Sequence, residues 1–365
     1  MNVGLVFGGP SVEHDISVIT ANQIYASIDK NKYNILPIYF SKDKKFYLIK
    51  NFGCDNKFLK DVNLLEEITI NRLEVKKRGK FSKKIRLDCV IGAFHGKNTE
   101  GGELAGFFET LDIPYSFNSV LGGSLGQDKI TMKKVLEYDG ISVVPFVSFS
   151  HTNYINNEEF YLEKISEIDY PVVVKPSMLG SSIGIKKVNN VKDLQKALNL
   201  AFKYDENVIV EKGLNKYREF NCAIFEDLLS DIEEVEVRNE IFSFEDKYQS
   251  HESKHILPAL IDEQLKNEIY ELTKKTNDSL RNESIARIDF LYDEEEKRLY
   301  VNEINTIPGA LSYYLFESCG IYFDELLEKL IVSTMKRDYK KKQLLNYFNS
   351  TILESDNISK LKMKK

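Results

Sequence analysis

Two runs of alternating residues in the last third of the chain constrain its fold most strongly. In ARIDFLYDEEEKRLYVNEIN, polar and apolar residues alternate on both sides of the acidic turn DEEEK. This pattern predicts two half-buried strands joined as a hairpin. If the turn pivots near Glu296, Asp289 lies opposite Glu303. Arg287 then lies opposite Asn305, and the period of two places all four side chains on one face.

The predicted pairing of Asp289 with Glu303 brings two carboxylates together. Opposed carboxylates, with Cβ atoms roughly 5 Å apart, repel one another unless a cation lies between them. Two carboxylates and a neutral amide oxygen suit Mg²⁺, which prefers oxygen ligands. Asp289, Glu303 and Asn305 are therefore candidate metal ligands. An ordinary solvated strand face would show the same pattern, and the hairpin alone leaves both interpretations open.

Three lysines elsewhere favour an anionic ligand. Lys129 opens a predicted helix, Lys175 ends the apolar strand of YPVVVKPS, and Lys247 lies in the loop segment SFEDKYQS. A lysine at the end of a buried strand needs an anionic partner, because an unpaired buried ammonium is costly. Phosphate is a good candidate. The chain has no G-x-x-x-x-G-K-[ST] and no G-x-G-x-x-G motif, so neither the P-loop nor the dinucleotide fold is indicated.

Composition bounds the partners and the location. The 365 residues carry a formal net charge of -6, which disfavours a dedicated nucleic-acid binder. No apolar run approaches the roughly 18 residues that span a bilayer, so we expect no membrane segment and a cytoplasmic protein. The four cysteines form no C-x-x-C pair, and we expect reduced, packed thiols.

The order of strand and helix patterns predicts an α/β protein of three lobes. Apolar runs ending in glycines, with helical patterns between them, indicate an N-terminal doubly wound α/β lobe over residues 1–118. We expect a smaller central lobe over 119–206, with the glycine-rich segment MLGSSIGI as a mobile loop. A C-terminal lobe is expected over 207–345, followed by a basic tail over 346–365.

Several motifs together resemble one family. In order and approximate spacing, the chain has GLVFGGPSVEHDIS, HGKNTEGGELAG, GQDKITMKK, YPVVVKPSMLGSSIGI, VIVEKGLNKYREF, DKY, ARIDF and NEINTIPG. This set resembles the D-alanine–D-alanine ligases of the ATP-grasp superfamily, from about residue 3 to 335. The resemblance implies three lobes that clamp ATP between the central and C-terminal ones. It also implies ATP-dependent joining of two D-alanines through an acyl phosphate, for peptidoglycan synthesis, by a homodimer.

The resemblance further implies roles for individual positions. Glu13 would hold the ammonium of the first amino acid, and His95 would line the same subsite. The implied ATP contacts are Lys129 and Lys175 at the phosphates, Lys247 on a loop closing over the γ-phosphate, Glu211 with the backbone of Lys212 and Leu214 at the adenine, and Glu219 at the ribose.

The remaining implied roles concern the metal and the reacting carbonyl. Asp289, Glu303 and Asn305 resemble the family's metal ligands, in agreement with the hairpin argument; two Mg²⁺ ions are expected, and Mn²⁺ is a possible substitute. Arg287 and the backbone N–H of Gly309 would stabilise the tetrahedral oxyanion. Ser181 matches the serine that ties Tyr248 to Glu13.

The chain departs from the family pattern at two places. Where the family has G-E-D-G and a later glutamine, this chain has Thr99, Glu100, Gly101, Gly102 and Ala105. The family's Ser-Leu pair, which helps bind the carboxylate of the second substrate, corresponds to Tyr314-Leu315. A second substrate other than D-alanine, such as D-serine, D-lactate or glycine, is therefore an alternative hypothesis, as is another ATP-grasp carboxylate–amine ligase.

The segment HESKH spells the H-E-x-x-H motif of zinc metalloproteases. That motif needs a helix, so that the two histidines share one face. Here loop-like residues precede His251, and Pro258 follows His255 by only three residues. We therefore treat zinc proteolysis as a remote alternative. A non-catalytic nucleotide-binding module is a separate and weak alternative.

Overall fold

The computed structural model describes residues 1–53, 55–79, 84–236, 254–345 and 347–350. Helices and strands are mixed throughout, and the strands form three separate sheets, as expected for the α/β class. Among the described residues, no helix is long and apolar enough to span a membrane. The expected basic tail lies largely outside the described residues.

The N-terminal sheet has seven strands in the order β6-β5-β4-β3-β2-β1-β7. Parallel pairing joins only β2, β1 and β7, and the other strands extend the sheet as an antiparallel meander. A doubly wound lobe was expected, but the parallel part has only three strands. The strands are β1 Asn2–Gly8, β2 Asn34–Phe40, β3 Phe46–Ile49, β4 Leu65–Asn71, β5 Glu74–Lys77, β6 Lys84–Arg86 and β7 Cys89–Gly92.

Two helices complete the N-terminal part, α1 (His14–Ser27) and α2 (Glu103–Thr110), with short 3-10 turns at Lys57–Leu59 and Val62–Leu64. Helix α1 begins directly after Glu13, so the loop from Gly8 to Glu13 lies at the carboxyl end of β1. This is the edge where ligands bind in open α/β sheets.

The central sheet has four strands in the order β10-β9-β11-β8. Strand β11 pairs with both β8 and β9, so the central sheet extends past the boundary expected at residue 206. The elements are α3 Val120–Gln127, α4 Lys129–Tyr138, β8 Phe146–Ser150, α5 His151–Asn156, α6 Glu158–Ser166, β9 Val172–Pro176, β10 Lys186–Val188, α7 Val191–Ala201 and β11 Asn207–Lys212.

The C-terminal sheet has five strands, all antiparallel, in the order β14-β13-β12-β15-β16. Its elements are β12 Tyr217–Phe225, β13 Leu228–Glu236, β14 Lys254–Ile256, α8 Glu263–Ser279, β15 Ala286–Asp293, β16 Arg298–Asn305, a 3-10 turn Gly309–Ser312, α9 Tyr313–Glu317 and α10 Phe323–Lys342.

The hydrophobic cores do not follow chain order. Met132 and Leu136 of α4 pack with the C-terminal sheet rather than with the central one. Leu315, Phe316 and the buried face of α10 join the core of the N-terminal sheet. The first and last parts of the chain therefore share one core, which fixes the loop after β16 against the N-terminal sheet.

Three of the four cysteines lie in the described part of the chain, and all three are free thiols. Cys89 and Cys222 are buried, as expected, and burial raises the pKa of each thiol to about 12. Cys319 is exposed rather than packed. Cys54 lies outside the described residues.

The predicted hairpin is formed by β15 and β16. Asp289 pairs with Glu303 and Arg287 with Asn305, as the alternation predicts. The register shifts between Asp289 and Phe290, because Phe290 pairs with Val301 and leaves Asn302 as the extra residue of a β-bulge. A bulge re-aims side chains, and here Asn302 and Glu303 both line the cleft facing the central sheet.

The buried face of this hairpin should carry much of the stability of the C-terminal sheet. Ile288 lies between Arg287 and Asp289 and is 0 % exposed. We expect Ile288→Ala to lower the free energy of unfolding by about 2–5 kcal/mol, because it removes packed atoms and leaves a cavity. Urea denaturation followed by fluorescence measures this. Leu260→Ala, at a 79 % exposed position, serves as the control and should change stability by less than about 0.5 kcal/mol.

Candidate active site

A row of polar residues crosses four strands of the C-terminal sheet on one face. Glu233 pairs with Asn221, Asn221 with Asp289, and Asp289 with Glu303. All four side chains line one cavity, whose other walls come from the N-terminal and central parts of the chain. The carboxylate pair predicted from the hairpin therefore lies at one end of a longer polar row.

Cations contact both carboxylates of the hairpin. Arg287 donates from Nε and Nη2 to the two oxygens of Asp289, at 2.7 and 2.8 Å. Burial would lower the pKa of Arg287, but Asp289 raises it well above its ordinary value, and the guanidinium stays charged. Lys129 Nζ lies 3.4 Å from Glu303 Oε2. Asn305 donates to Asp289 Oδ2 at 2.9 Å.

A second cleft lies between the central and C-terminal sheets. It is lined by Lys175, Lys212 and Leu214 from the central side, and by Glu219 and the hairpin residues from the other. Lys175 Nζ lies 3.2 Å from Asn302 Oδ1, so the β-bulge residue connects the two sheets. Asp289 and Glu303 line both the cavity and the cleft, which makes the two spaces neighbours.

A buried triad stands at the back of this cleft. Glu211 forms ion pairs with Lys133, at 3.0 Å, and with Lys175, at 2.6 Å. Lys133 is 0 % exposed, and its burial lowers its pKa. Burial would also lower the pKa of Lys175, but the charge of Glu211 raises it above its ordinary value. Glu211 thus has an orientation fixed by two lysines.

The N-terminal loop after β1 brings Glu13 to the cavity. Ser181, from the glycine-rich segment of the central part, donates a hydrogen bond to Glu13. Gly96 packs against the Glu13 carboxylate with a φ of 79°, a conformation and a closeness that only glycine allows. Ser181 and Glu13 are therefore in contact, whereas the predicted link from Ser181 to Tyr248 involves a residue outside the described part of the chain.

His95 joins the N-terminal sheet to the loop that carries Gly309. Its Nδ1 lies 2.8 Å from the carbonyl oxygen of Ile307, and its Nε2 lies 2.9 Å from Thr20 Oγ1. Burial lowers the pKa of His95 to about 4. The ring is therefore neutral near pH 7, with the proton on Nδ1, because only that nitrogen has a carbonyl acceptor.

Glu100 forms a second connection to the same loop. One of its oxygens accepts from Thr306 Oγ1 and from the N–H of Ile307, both at 2.9 Å, and the other accepts from the N–H of Gly96 at 3.0 Å. Burial raises the pKa of Glu100 to about 7, and the nearby charge of Glu13 adds to the increase.

The turn after Gly309 has an unusual backbone. Ala310, Leu311 and Ser312 have φ values of 50°, 54° and 50°, in the left-handed region. Such residues cost on the order of 1–3 kcal/mol each and persist where the surroundings determine them. Thr20 Oγ1 accepts a hydrogen bond from the N–H of Ala310 at 3.1 Å, so α1 helps to hold this turn.

Tyr314 reaches the cavity, whereas its neighbour Leu315 does not. Tyr314 lines the cavity and donates its hydroxyl to Glu233 Oε2 at 2.9 Å. That single O–H is therefore used within the protein and does not also donate to a substrate carboxylate. The structure does not bring Leu315 to the cavity: the side chain is 0 % exposed and packs in the core of the N-terminal sheet.

Most of the predicted site residues meet at these two spaces. The cavity is lined by Glu13, His95, Lys129, Ser181, Arg287, Asp289, Glu303, Asn305, Gly309 and Tyr314, and the cleft by Lys175, Glu211, Lys212, Leu214 and Glu219. Lys247 and Tyr248 lie outside the described residues. The predicted loop contacts of these two residues remain predictions.

Sequence reasoning assigned no role to Lys133, Glu100, Asn221 or Glu233. Lys133 could have been found, because it follows Lys129 by four residues and shares its helix face. The alternation in EEVEV could have placed Glu233 on the same face as Val235. Nothing local in the sequence shows that Glu100 reaches a loop some two hundred residues away.

The HESKH segment does not form the helical zinc motif at its described end. His255 lies in strand β14, and its Nδ1 is 2.8 Å from Glu233 Oε1. His251 and Glu252 lie outside the described residues. Within the described part of the chain, no group of three or more His, Cys, Asp or Glu side chains could hold a metal ion.

Comparison with known proteins identifies the kind of enzyme that this fold and site define. Family models described as the D-ala D-ala ligase N-terminus and C-terminus match residues 2–116 and 135–332. The chain belongs to the D-alanine–D-alanine ligase family, and it is a ligase.

Relatives and solved structures cover nearly the whole chain. A D-alanine–D-alanine ligase from Thermosipho africanus is 39 % identical over 97 % of this chain and 98 % of its own length. Another, from Caldicellulosiruptor bescii, is 33 % identical over 94 % of this chain and 98 % of its own length. The crystal structure of VanG D-Ala:D-Ser ligase from Enterococcus faecalis has a TM-score of 0.81 and 30 % identity, covering 91 % of this chain and 99 % of that one.

The raised pKa of Glu100 predicts a pH-dependent stability. Between about pH 4.5 and pH 7 the folded carboxyl keeps a proton that the unfolded chain has released, so its contribution to stability decreases as pH rises through that window. From pH 4.5 to pH 8, the unfolding free energy of the wild type should decrease by on the order of 3 kcal/mol relative to that of Glu100→Gln. Denaturation curves at both pH values test this, and a constant difference would contradict it.

Proposed function

We propose that this chain joins two D-alanines into a dipeptide at the expense of ATP, through an acyl phosphate. One observation carries the proposal: a single cavity holds Glu13, Arg287 and the carboxylate pair, and it adjoins a lysine-lined cleft across Asp289 and Glu303. An amino-acid carboxylate in the cavity would therefore lie next to a phosphate in the cleft.

The cleft would bind ATP. Lys175 and Lys129 would contact the phosphates: Lys175 lines the cleft, and Lys129 lies 3.4 Å from Glu303, which borders both the cleft and the cavity. Glu211, oriented by two lysines, would accept from the adenine amino group, and the backbone of Lys212 and Leu214 would contact the base edge. Glu219 would accept from the ribose hydroxyls, since its strand borders both spaces.

The hairpin residues fit Mg²⁺ by the chemistry of their donor atoms. Asp289 and Glu303 face one another on adjacent strands, and each has a protein cation beside it. Asn305 lies within hydrogen-bond distance of Asp289, so its amide oxygen would complete an oxygen donor set. Bound there, Mg²⁺ would neutralise charge on the transferring phosphoryl group.

The chain's own residues suit both steps of the reaction. Glu13, fixed by Ser181, would hold the ammonium of the first D-alanine and so direct its carboxylate towards the γ-phosphoryl group. The amine of the second D-alanine would then attack the acyl carbon and release phosphate. Arg287 and Gly309 line the same cavity, and the Arg287 guanidinium and the Gly309 N–H would stabilise the oxyanion. Both interactions increase as charge develops in the transition state.

The finer features of the proposal come from the family. We propose three lobes, as expected from the sequence at 1–118, 119–206 and 207–345. The boundary between the second and third lobes is placed after Lys212 instead of after residue 206, because β11 belongs to the central sheet. We further propose that Lys247 and Tyr248 close over the γ-phosphate and that the protein is a homodimer. It would act in peptidoglycan synthesis, in the cytoplasm.

A coupled ADP-release assay on the purified chain tests the proposed activity. With ATP, Mg²⁺ and D-alanine, we expect one ADP for each D-alanyl-D-alanine, the latter detected by mass spectrometry. L-alanine is the matched control and should give neither product. ADP release that requires a different acid and amine would instead favour another carboxylate–amine ligase.

Removal of one hairpin carboxylate should abolish the metal-dependent step. Glu303→Gln keeps the shape of the side chain but removes a charge next to Lys129, so we expect at least a hundredfold lower kcat for ADP release at saturating ATP. Glu295→Gln, an exposed position in the turn of the same hairpin, should retain full activity. Retained turnover in Glu303→Gln would contradict the metal assignment.

A further inference from the structure

A buried carboxylate lies in the cavity and has no role in the reaction as proposed above. Glu233 is 1 % exposed, yet it lines the cavity. Its Oε2 accepts from Asn221 Nδ2 and from the Tyr314 hydroxyl, both at 2.9 Å. Its Oε1 accepts from His255 Nδ1 at 2.8 Å. Three side chains from three different elements therefore fix the orientation of this one group.

Glu233 can accept one more hydrogen bond. A carboxylate oxygen accepts two hydrogen bonds, so Oε2 is filled while Oε1 has a second acceptor direction. Burial would raise the pKa of Glu233, but hydrogen bonds from His255 and Asn221 keep the pKa below its ordinary value. The group is thus an anion held in place near pH 7, and it is suited to accepting a hydrogen bond from a ligand rather than to removing a proton.

The position of Glu233 in the sheet places it beyond the reacting carbonyl. In the row across the sheet, Glu233 is two strands from Asp289, or roughly 10 Å at the usual strand spacing. Arg287 donates to Asp289 at the proposed metal end of the row, and its charge also interacts with Tyr314 and Glu233. If the acyl phosphate forms above Asp289 and Glu303, the second substrate occupies the end of the cavity near Glu233.

The substituents of the second substrate restrict what can face Glu233. Its amine nitrogen must point at the acyl carbon beside Arg287 for the new bond to form. Its carboxylate must point away from Glu233, because two buried anions repel one another. The side chain is the remaining group. A methyl group there would cover the open acceptor direction without replacing a hydrogen bond, whereas a hydroxyl would donate to it.

We propose that Glu233, oriented by Tyr314 and His255, recognises a side-chain hydroxyl on the second substrate, so that the chain also joins D-alanine to small hydroxylated D-amino acids such as D-serine. The inference rests on the proposed ligase activity. Glu233 is then a specificity-determining residue of the acceptor subsite. A site built to bond a hydroxyl disfavours an analogue of equal size that lacks it.

The first test compares two acceptors of nearly equal size. D-Serine and D-2-aminobutyrate differ in a hydroxyl and a methyl group at the same position. With D-alanine as the first substrate, we expect kcat/KM for D-serine to exceed that for D-2-aminobutyrate at least tenfold, with mixed dipeptides quantified by mass spectrometry. A ratio below ten would overturn the proposal, because the subsite would then discriminate by volume alone.

The second test assigns the preference to Glu233. Glu233→Met removes the acceptor, and we expect the ratio of D-serine to D-2-aminobutyrate to fall at least tenfold, towards one. Glu233→Gln keeps a neutral acceptor and should give an intermediate ratio. Glu236→Gln is the control: it lies on the same strand, is exposed and pairs with Lys254, and the ratio should not change. An unchanged ratio in Glu233→Met would overturn the proposal.

Two further outcomes are distinguishable. If Glu233 instead contacts the acceptor ammonium, both acceptors lose kcat/KM equally in Glu233→Met, and the constant ratio contradicts hydroxyl recognition. If no acceptor, including D-alanine, supports ADP release by the wild type, the proposed function fails before the specificity is measured. Should Glu233→Met not fold, Glu233→Gln takes its place, and an unchanged ratio in that variant would overturn the proposal.

Discussion

The opposed carboxylates of Asp289 and Glu303 are the constraint on which the rest of the site depends. Adjacent strands hold the two anions face to face, and such a pair is stable only with cations nearby. The protein supplies them from different parts of the chain: Arg287 from the hairpin itself and Lys129 from α4. In the proposed mechanism, the same charge that must be balanced in the resting protein would attract a divalent ion and, through it, a polyphosphate.

A second set of contacts joins the N-terminal sheet to this hairpin. His95 and Glu100 both form hydrogen bonds with the backbone of Ile307, two residues before Gly309. The left-handed turn that follows is held by Thr20 of α1 and by core packing of the chain beyond it. The position of the Gly309 N–H, the proposed oxyanion donor, therefore depends on Thr20, His95 and Glu100, which belong to the N-terminal part of the chain.

The sequence predicted what depends on local periodicity and failed where distant strands meet. The pairing of Asp289 with Glu303 follows from a period of two, and the structure confirms it. The same reasoning could not foresee the β-bulge at Asn302, because Asn302 contacts Lys175 of the central sheet and local periodicity does not show such a distant contact. Strand β11 was assigned to the wrong side of a boundary, and Glu233 was missed, because both find their partners only in the assembled sheets.

In the proposed mechanism, the first substrate's carboxylate attacks phosphorus, so that a carboxylate oxygen leaves with the phosphate. The most direct measurement uses D-alanine labelled with ¹⁸O in both carboxylate oxygens, with mass spectrometry of the inorganic phosphate released by the purified chain. We expect one ¹⁸O atom in each phosphate for every dipeptide formed. Phosphate without the label, in the presence of dipeptide synthesis, would contradict it.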